Sequence, residues 1–241
     1  SPRIEGRFDV RAGDVQATGG GGQDKLAGRT QDYALELRLA GQKPAVIHGK
    51  SGYIGVSGKE ASYYYSRTRM QVQGIVVDHG ERVPVIGRAW MDHQWGDFTL
   101  QGDGGWDWFS VQLEDGADIM VSGIRDGRGD LVLSYGTLVD QEGRSRHLAS
   151  DEFTIQATGS WMSPATGVVY PMGWTLSVPG RGLPGNQSRL LWRWAYRPIH
   201  GMALRPLRLS SGPGCVPSHL RDMPAFPYVF ERLPVPFPPG L

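Results

Sequence analysis

The chain has 241 residues, with 25 basic against 24 acidic side chains, 35 glycines and a single cysteine. That length supports one large or two small domains with real cores. Near-balanced charge gives no electrostatic ground for nucleic acid or an anionic membrane surface as partner, one cysteine excludes an internal disulfide, and no apolar run approaches the roughly 20 residues that span a bilayer.

The chain opens at Ser1 without a methionine and reads as processed, trimmed or fragmentary, so the missing signal peptide leaves export open. Ile4-Glu5-Gly6-Arg7 matches a protease site of engineered linkers, yet Phe8-Asp9-Val10 runs on as strand-like sequence. Residues 11–31, Gly-rich and polar, read as an irregular loop between early strands. Residues 33–39 alternate cleanly, as a strand with one wet face does. Residues 69–77 do the same and turn at Asp78-His79-Gly80. Further strands are expected at 83–90, 106–113, 118–125, 131–138 and 153–158. The breaks among them include Asp115-Gly116, Asp126-Gly127 and Gln141-Glu142-Gly143. Asp-Gly is a strong hairpin signal, because the turn needs a positive φ that glycine adopts without strain. Trp161-Met162-Ser163-Pro164 and Tyr170-Pro171-Met172-Gly173-Trp174 read as an ordered aromatic corner. With no long segment of helical period, the expected class is all-β: an antiparallel meander curled into a barrel or sandwich.

The character changes after about Gly182. Eleven of the 17 prolines fall in 184–241, a stretch with two acidic residues and no lysine. Proline cannot donate to a sheet ladder, so residues 227–239 cannot form a central strand. A natural Pro-rich tail and a reading-frame shift in a GC-rich gene both account for this composition.

Chemistry-bearing residues concentrate between Gly87 and Phe109, which hold four of the eight tryptophans with Asp92, His93, Asp97 and Asp107. On a strand, Asp92 and Gln94 face one way, His93 and Trp95 the other. A buried Asp92 would have a raised pKa, as suits a general acid. The same spacing fits a structural Asp–His pair at a barrel rim. Trp106, Trp108, Ser110 and Gln112 share one face, and Asp107, Phe109, Val111 and Leu113 the other. The latter reads as core except for Asp107, whose carboxylate then needs a partner: Arg125, Arg88 or His93. The two indoles suit an apolar ligand or barrel-mouth packing equally. Tyr63, Tyr64 and Tyr65 put a phenol on each side of a strand, where a ring stabilises a cation or simply packs. His48, His79, His147, His200 and His219 show no metal-ligand spacing, and no phosphate loop or Gly-x-Ser-x-Gly elbow occurs.

The blocks Ile47-His48-Gly49, Tyr63-Tyr64-Tyr65-Ser66-Arg67-Thr68-Arg69, Gly87 to Gly96 and Gly105 to Ser110 resemble the bacterial lipocalin-like family of carotenoid 1,2-hydratases. That family includes AttH-type proteins described as predicted secreted hydrolases. Gly136-Thr137-Leu138-Val139, Trp161 to Pro164 and Tyr170 to Trp174 continue the match in order, over about residues 1–183. The resemblance implies two lipocalin-like β-barrels packed together: part of the first in 1–98, the second in 99–183, and an atypical Pro/Arg-rich segment in 184–241. Family members are longer at the N-terminus and carry a Tyr-Trp-Glu-Gly block near the C-terminus, where this chain has Gly185-Asn186-Gln187-Ser188 and its prolines. A frame shift there would leave the second barrel open, with an edge that invites aggregation.

The reaction the resemblance implies is addition of water to a terminal double bond of an acyclic carotenoid or related isoprenoid, through a tertiary carbocation. That chemistry calls for no metal, nucleotide or other cofactor. Asp92 fits the acid, with His93 placing water or tuning Asp92, and Asp97 and Asp107 are rival acids. Trp95, Trp106 and Trp108 fit a cation-stabilising wall, and Tyr63 and Tyr65 further substrate contacts. The alternatives are a lipocalin-like carrier of an apolar molecule and a secreted hydrolase. The implied partner is an apolar small molecule, with peripheral membrane contact and oligomeric state left open, in a bacterial protein either exported or membrane-peripheral.

Overall fold

The computed structural model describes residues 6–55, 61–97, 105–179 and 189–192. Among them the regular structure is all strand, so no helix is long and apolar enough to cross a membrane. The first sheet holds β1 (Arg7–Ala12), β2 (Val15–Gly20), β3 (Gln23–Arg29), β4 (Tyr33–Gly41), β5 (Val46–Ile47), β6 (Tyr53–Gly55), β7 (Ala61–Asp78) and β8 (Glu81–Asp97). Its order is β1-β2-β3-β4-β7-β5, with β6 and β8 also paired to β7. The second sheet holds β9 (Gly105–Gln112), β10 (Asp118–Arg125), β11 (Leu131–Val139) and β12 (Ser145–Leu148), in the order β12-β11-β10-β9. The third is β13 (Thr154–Met162), β14 (Val169–Ser177) and β15 (Arg189–Trp192).

Two long strands dominate the first sheet. β7 and β8 are joined by His79-Gly80, with φ of 48° and 88°, while Asp78 pairs with Glu81. Two consecutive positive φ values match the twist of the strands they join, which is why so short a turn follows an 18-residue strand. The sheet curls, so that Phe8 of β1 and Trp95 of β8 line one cleft although four strands separate them. Its concave face carries Leu26, Leu35, Leu37, Leu39, Met70, Val72 and Ala89, all buried together. Each such leucine contributes about 1.5–3 kcal/mol of burial.

The second sheet is the middle layer. Ile119 and Val121 of β10 pack with Leu138, Leu148, Phe153, Leu176 and Val178 toward the third sheet. Met120, between them, packs with Ile54, Tyr64, Trp90 and Tyr135 toward the first. β10 is therefore buried on both faces from Asp118 to Gly123. Asp118, fully buried, ties the first two layers together. It accepts from Lys43 Nζ at 2.7 Å, Arg69 Nη2 at 2.7 Å, Arg69 Nε at 3.1 Å and Thr68 Oγ1 at 2.9 Å.

Two expectations are corrected. Residues 11–31 are not a loop but contain β2 and β3, paired from Val15↔Gly28 to Gly20↔Gln23. Their inward positions are mostly small, which hides the alternation, and Gly21 and Gly22 (φ of 60° and 85°) make the turn. The aromatic corner is instead a hairpin in which β13 and β14 pair Trp161 with Tyr170. The Pro-rich segment lies outside the described residues apart from β15, and with it the frame-shift question.

Candidate functional site

β7 and β8 diverge from simple alternation at one point. Arg67 pairs with Met91 and Met70 with Ala89, so Thr68 and Arg69 together face Trp90 alone. This β-bulge reverses the alternation of β7 but not that of β8. The concave face that carries Met70 and Ala89 therefore continues past the bulge as Arg67, Tyr65 and Tyr63 on β7, and as Met91, His93 and Trp95 on β8. Tyr64, Ser66, Trp90, Asp92 and Gln94 point the other way, toward the second sheet.

On that second-sheet side, Asp92 is the centre of a hydrogen-bond chain. Its Oδ1 accepts from Ser66 Oγ and from Trp90 Nε1 (2.8 Å), and the Tyr64 hydroxyl donates to the carboxyl group as well. Tyr64 in turn accepts from Trp108 Nε1 at 2.9 Å. Behind Ser66, His48 Nε2 lies 2.6 Å from Ser66 Oγ, and His48 Nδ1 lies 2.9 Å from Thr137 Oγ1. Because Ser66 donates to Asp92, its oxygen accepts from His48 Nε2–H. Nδ1 is then the acceptor for Thr137, which fixes the neutral tautomer. The His48 and Tyr64 rings lie 4.2 Å apart.

Burial sets the electrostatics here. It raises the Asp92 carboxyl, against the lowering effect of the Ser66, Trp90 and Tyr64 donors. It raises the Tyr64 phenol too, reinforced by the charge of Asp92, and pushes Tyr135 up to about 12. His48 is pushed down to about 3 by burial and, less, by His147.

The sign for stability follows. Between about pH 6.5 and pH 3 the unfolded chain binds a proton at His48 that the folded chain refuses, so this contribution is intact above pH 6.5 and lost on acidification. Asp92, with its raised value, acts oppositely: its contribution is present below 3.8 and fades as pH rises through the folded value. His48→Gln isolates the first effect. In urea titrations at pH 6.5 and pH 5, the native chain is expected to lose about 2 kcal/mol more than the variant. Equal losses would refute a buried neutral His48.

Asp92 and His93, adjacent in sequence, do not meet. His93 stands on the concave face, 5.4 Å from the Tyr65 ring and 4.9 Å from that of Trp95. Tyr63 stacks on Trp95 at 5.6 Å, and Tyr65 meets Trp95 edge-on at 6.1 Å. The rings of Tyr63, Tyr65 and Trp95 border an open cleft of about 640 Å³ whose lining also includes Arg67 and Asp24. Trp108 packs at the inter-sheet cluster, edge-on to Trp90 at 6.4 Å, while Trp106 on the same face is half exposed. Asp107 lies on the opposite face of β9 and pairs with Arg125 (3.2 Å), one of the three partners its position called for. Asp97 pairs with Ala61 through its backbone, and its side chain lies outside the described residues. Among the described residues, no group of three or more His, Cys, Asp or Glu is placed to hold a metal ion.

Sequence reasoning singled out Asp92 but not its partners His48, Ser66 and Thr137, nor Asp24 and Arg67 in the cleft. Ile47-His48-Gly49 carried a faint signal: a histidine flanked by strand residues, without metal spacing, is often a buried hydrogen-bonding group.

The family model described as AttH-like matches residues 4–189. Among solved structures, one similar chain is a protein of Nitrosomonas europaea assigned as an AttH, with 31% identity and a TM-score of 0.65 over 70% of this chain and 54% of that one. Another is kievitone hydratase of Nectria haematococca, with 17% identity and a TM-score of 0.57 over 75% of this chain and 57% of that one; this likeness is one of fold. The chain thus spans a little over half the length of either. No curated protein matches it.

Proposed function

The chain belongs to the AttH-like family, and from that premise we propose that it is part of a hydratase-type lyase that adds water to a terminal double bond of an acyclic carotenoid or a related isoprenoid. The observation that carries this reading is the Asp92 carboxyl: buried, raised, and set among the rings of Tyr64, Trp90 and Trp108. A neutral carboxylic acid in such surroundings is a proton donor, and aromatic faces attract a cation. Oδ1 accepts from Ser66 and Trp90, so the transferable proton belongs on Oδ2. It passes to the less substituted alkene carbon, whose π electrons form the new C–H bond and leave a tertiary cation. A water oxygen bonds to that cation, and the proton it sheds returns to Asp92. The net change is addition of one water, and the acid is restored. Trp108, and the half-exposed Trp106 on the same face of β9, supply the wall along which the polyene lies. His48 and Ser66 hold the orientation of Asp92.

The test is incubation of the chain, and of a form as long as its relatives, with acyclic carotenoids in detergent micelles containing heavy-oxygen water. A product heavier by one labelled water is expected. Binding without any such product would favour a lipocalin-like carrier of an apolar molecule, a reading supported by the aromatic cleft lying across the sheet from Asp92.

A further inference from the structure

The β13–β14 hairpin carries no charge: residues 153–180 contain no Asp, Glu, Lys, Arg or His. Its base is anchored, with Ile155, Trp174 and Leu176 packed in the cluster that joins the second and third sheets. From Ala157 outward β13 leaves the body, and residues 157–160 and 162 are exposed. Met162 is 64% exposed, Val169 57%, Val168 48% and Tyr170 42%. Met162 pairs with Val169, and Trp161 with Tyr170, the two rings 5.9 Å apart. Members of an antiparallel pair share a face, and successive pairs alternate between faces. One apolar pair therefore stands on each side of the tip. A protein partner seated on a strand pair covers one face and leaves the other wet. A tip apolar on both faces suits surroundings that close round it, as the outer layer of a lipid bilayer does.

The backbone of the turn fits the same surroundings. Ser163 N donates to the Val168 carbonyl and Gly167 N to the Ser163 carbonyl, both at 2.8 Å. Thr166 N donates to Ser163 Oγ at 3.3 Å and Val168 N to Thr166 Oγ1 at 3.4 Å, while Pro164 has no N–H to place. Peptide groups satisfied within the turn are what a lipid-facing segment requires. Trp161 and Tyr170 stand one rung behind Met162 and Val169, about 3.3 Å nearer the body, where amphipathic rings meet headgroups. We propose that this tip docks the protein on a neutral lipid surface, with Met162, Val168 and Val169 entering the acyl boundary and Trp161 and Tyr170 at headgroup level. With no charged side chain on the hairpin, attachment depends on apolar area and not on headgroup charge. The tip belongs to the third sheet, whereas Asp92 faces the space between the first and second, so docking is independent of turnover.

The test is flotation of the full chain with phosphatidylcholine vesicles at low and at high salt. The chain is expected to float with the lipid, its bound fraction changing by less than about twofold between the two. The double variant Met162→Asp/Val169→Asp should weaken binding at least about tenfold, because two apolar side chains no longer enter the lipid and two charges would have to. Both positions are exposed, so its urea midpoint should match that of the native chain. Val10→Asp, at a 54% exposed position on β1, should leave flotation unaltered. A second measurement uses the same vesicles with brominated acyl chains, which quench tryptophan on contact. Trp161→Phe keeps a ring at headgroup level, so it should still float but lose most of the quenching seen in the native chain. A native chain that stays off neutral vesicles, binding that survives in the double variant, or quenching unaltered by Trp161→Phe each overturn the proposal. A native dimer that the double variant converts to monomer would assign the tip to a second copy and overturn it too. A failed hydration assay leaves it standing.

Discussion

Replacing Asp118 with alanine is expected to destabilise the fold by about 3–5 kcal/mol, the usual consequence of removing one partner from a buried ion pair. Asp118 is fully buried, and its two cations are almost so: 4% of the Lys43 side chain and 12% of Arg69 reach solvent. Without the carboxylate, an ammonium and a guanidinium remain between two sheets, and Thr68 Oγ1 loses its acceptor. Lys43 keeps the Gly116 carbonyl, and Arg69 keeps those of Leu113 and Ala117, but neutral acceptors do not balance two buried charges. The control is the triple change Asp118→Leu, Lys43→Met and Arg69→Met. Replacing the whole charged group with apolar residues removes the desolvation cost along with the attraction, so most of the lost stability should return. Chemical denaturation of both variants decides this. An Asp118→Ala chain within about 1 kcal/mol of the native one would mean that the layers hold without the tether.

The second large effect concerns turnover. Asp92→Asn is expected to lower the rate of hydration by about 10²- to 10⁴-fold, the range that a positioned general acid supplies. Asparagine is close to a neutral Asp92 in shape, and its oxygen can still accept from Ser66 and Trp90. Stability should therefore change little while activity falls. In the proposed reaction the acid form is the active one, so the rate should decline as pH rises through the raised value of Asp92, and this limb should vanish in the variant. Full activity in a well-folded Asp92→Asn chain would move the acid elsewhere.

Much of the architecture was legible in the sequence because it depends on local pattern. The alternation in residues 33–39 and the turn at Asp78-His79-Gly80 specify β4 and the β7–β8 hairpin, and the two faces read from β9 are those observed. Where small residues occupy the inward positions, as at Ala17 and Gly28, contrast between faces disappears and strands read as loop. The site was legible only as a set of residue types. That Asp92 turns toward the second sheet while Tyr63, Tyr65 and Trp95 line the cleft follows from the parity of two strands, and a single bulge at Thr68–Arg69 changes that parity. No residue in the bulge announces it. The partners of Asp92 are equally hidden, because His48, Ser66 and Thr137 come from three strands or loops up to 89 positions apart.

The double covering of β10 bears on how the chain acquires its shape. Synthesis runs from the N-terminus, so the first sheet is available to cover one face of β10 as soon as that strand appears. The other face waits for Phe153 and for β13 and β14, whose Ile155, Trp174 and Leu176 complete it. Until then Ile119, Val121 and Leu138 are uncovered, and a nascent or truncated chain ending before residue 153 would present them to solvent and to its neighbours. In the finished molecule the relation inverts: the amides of β10 can exchange their hydrogens only when both flanking layers part. This strand should therefore report global rather than local opening.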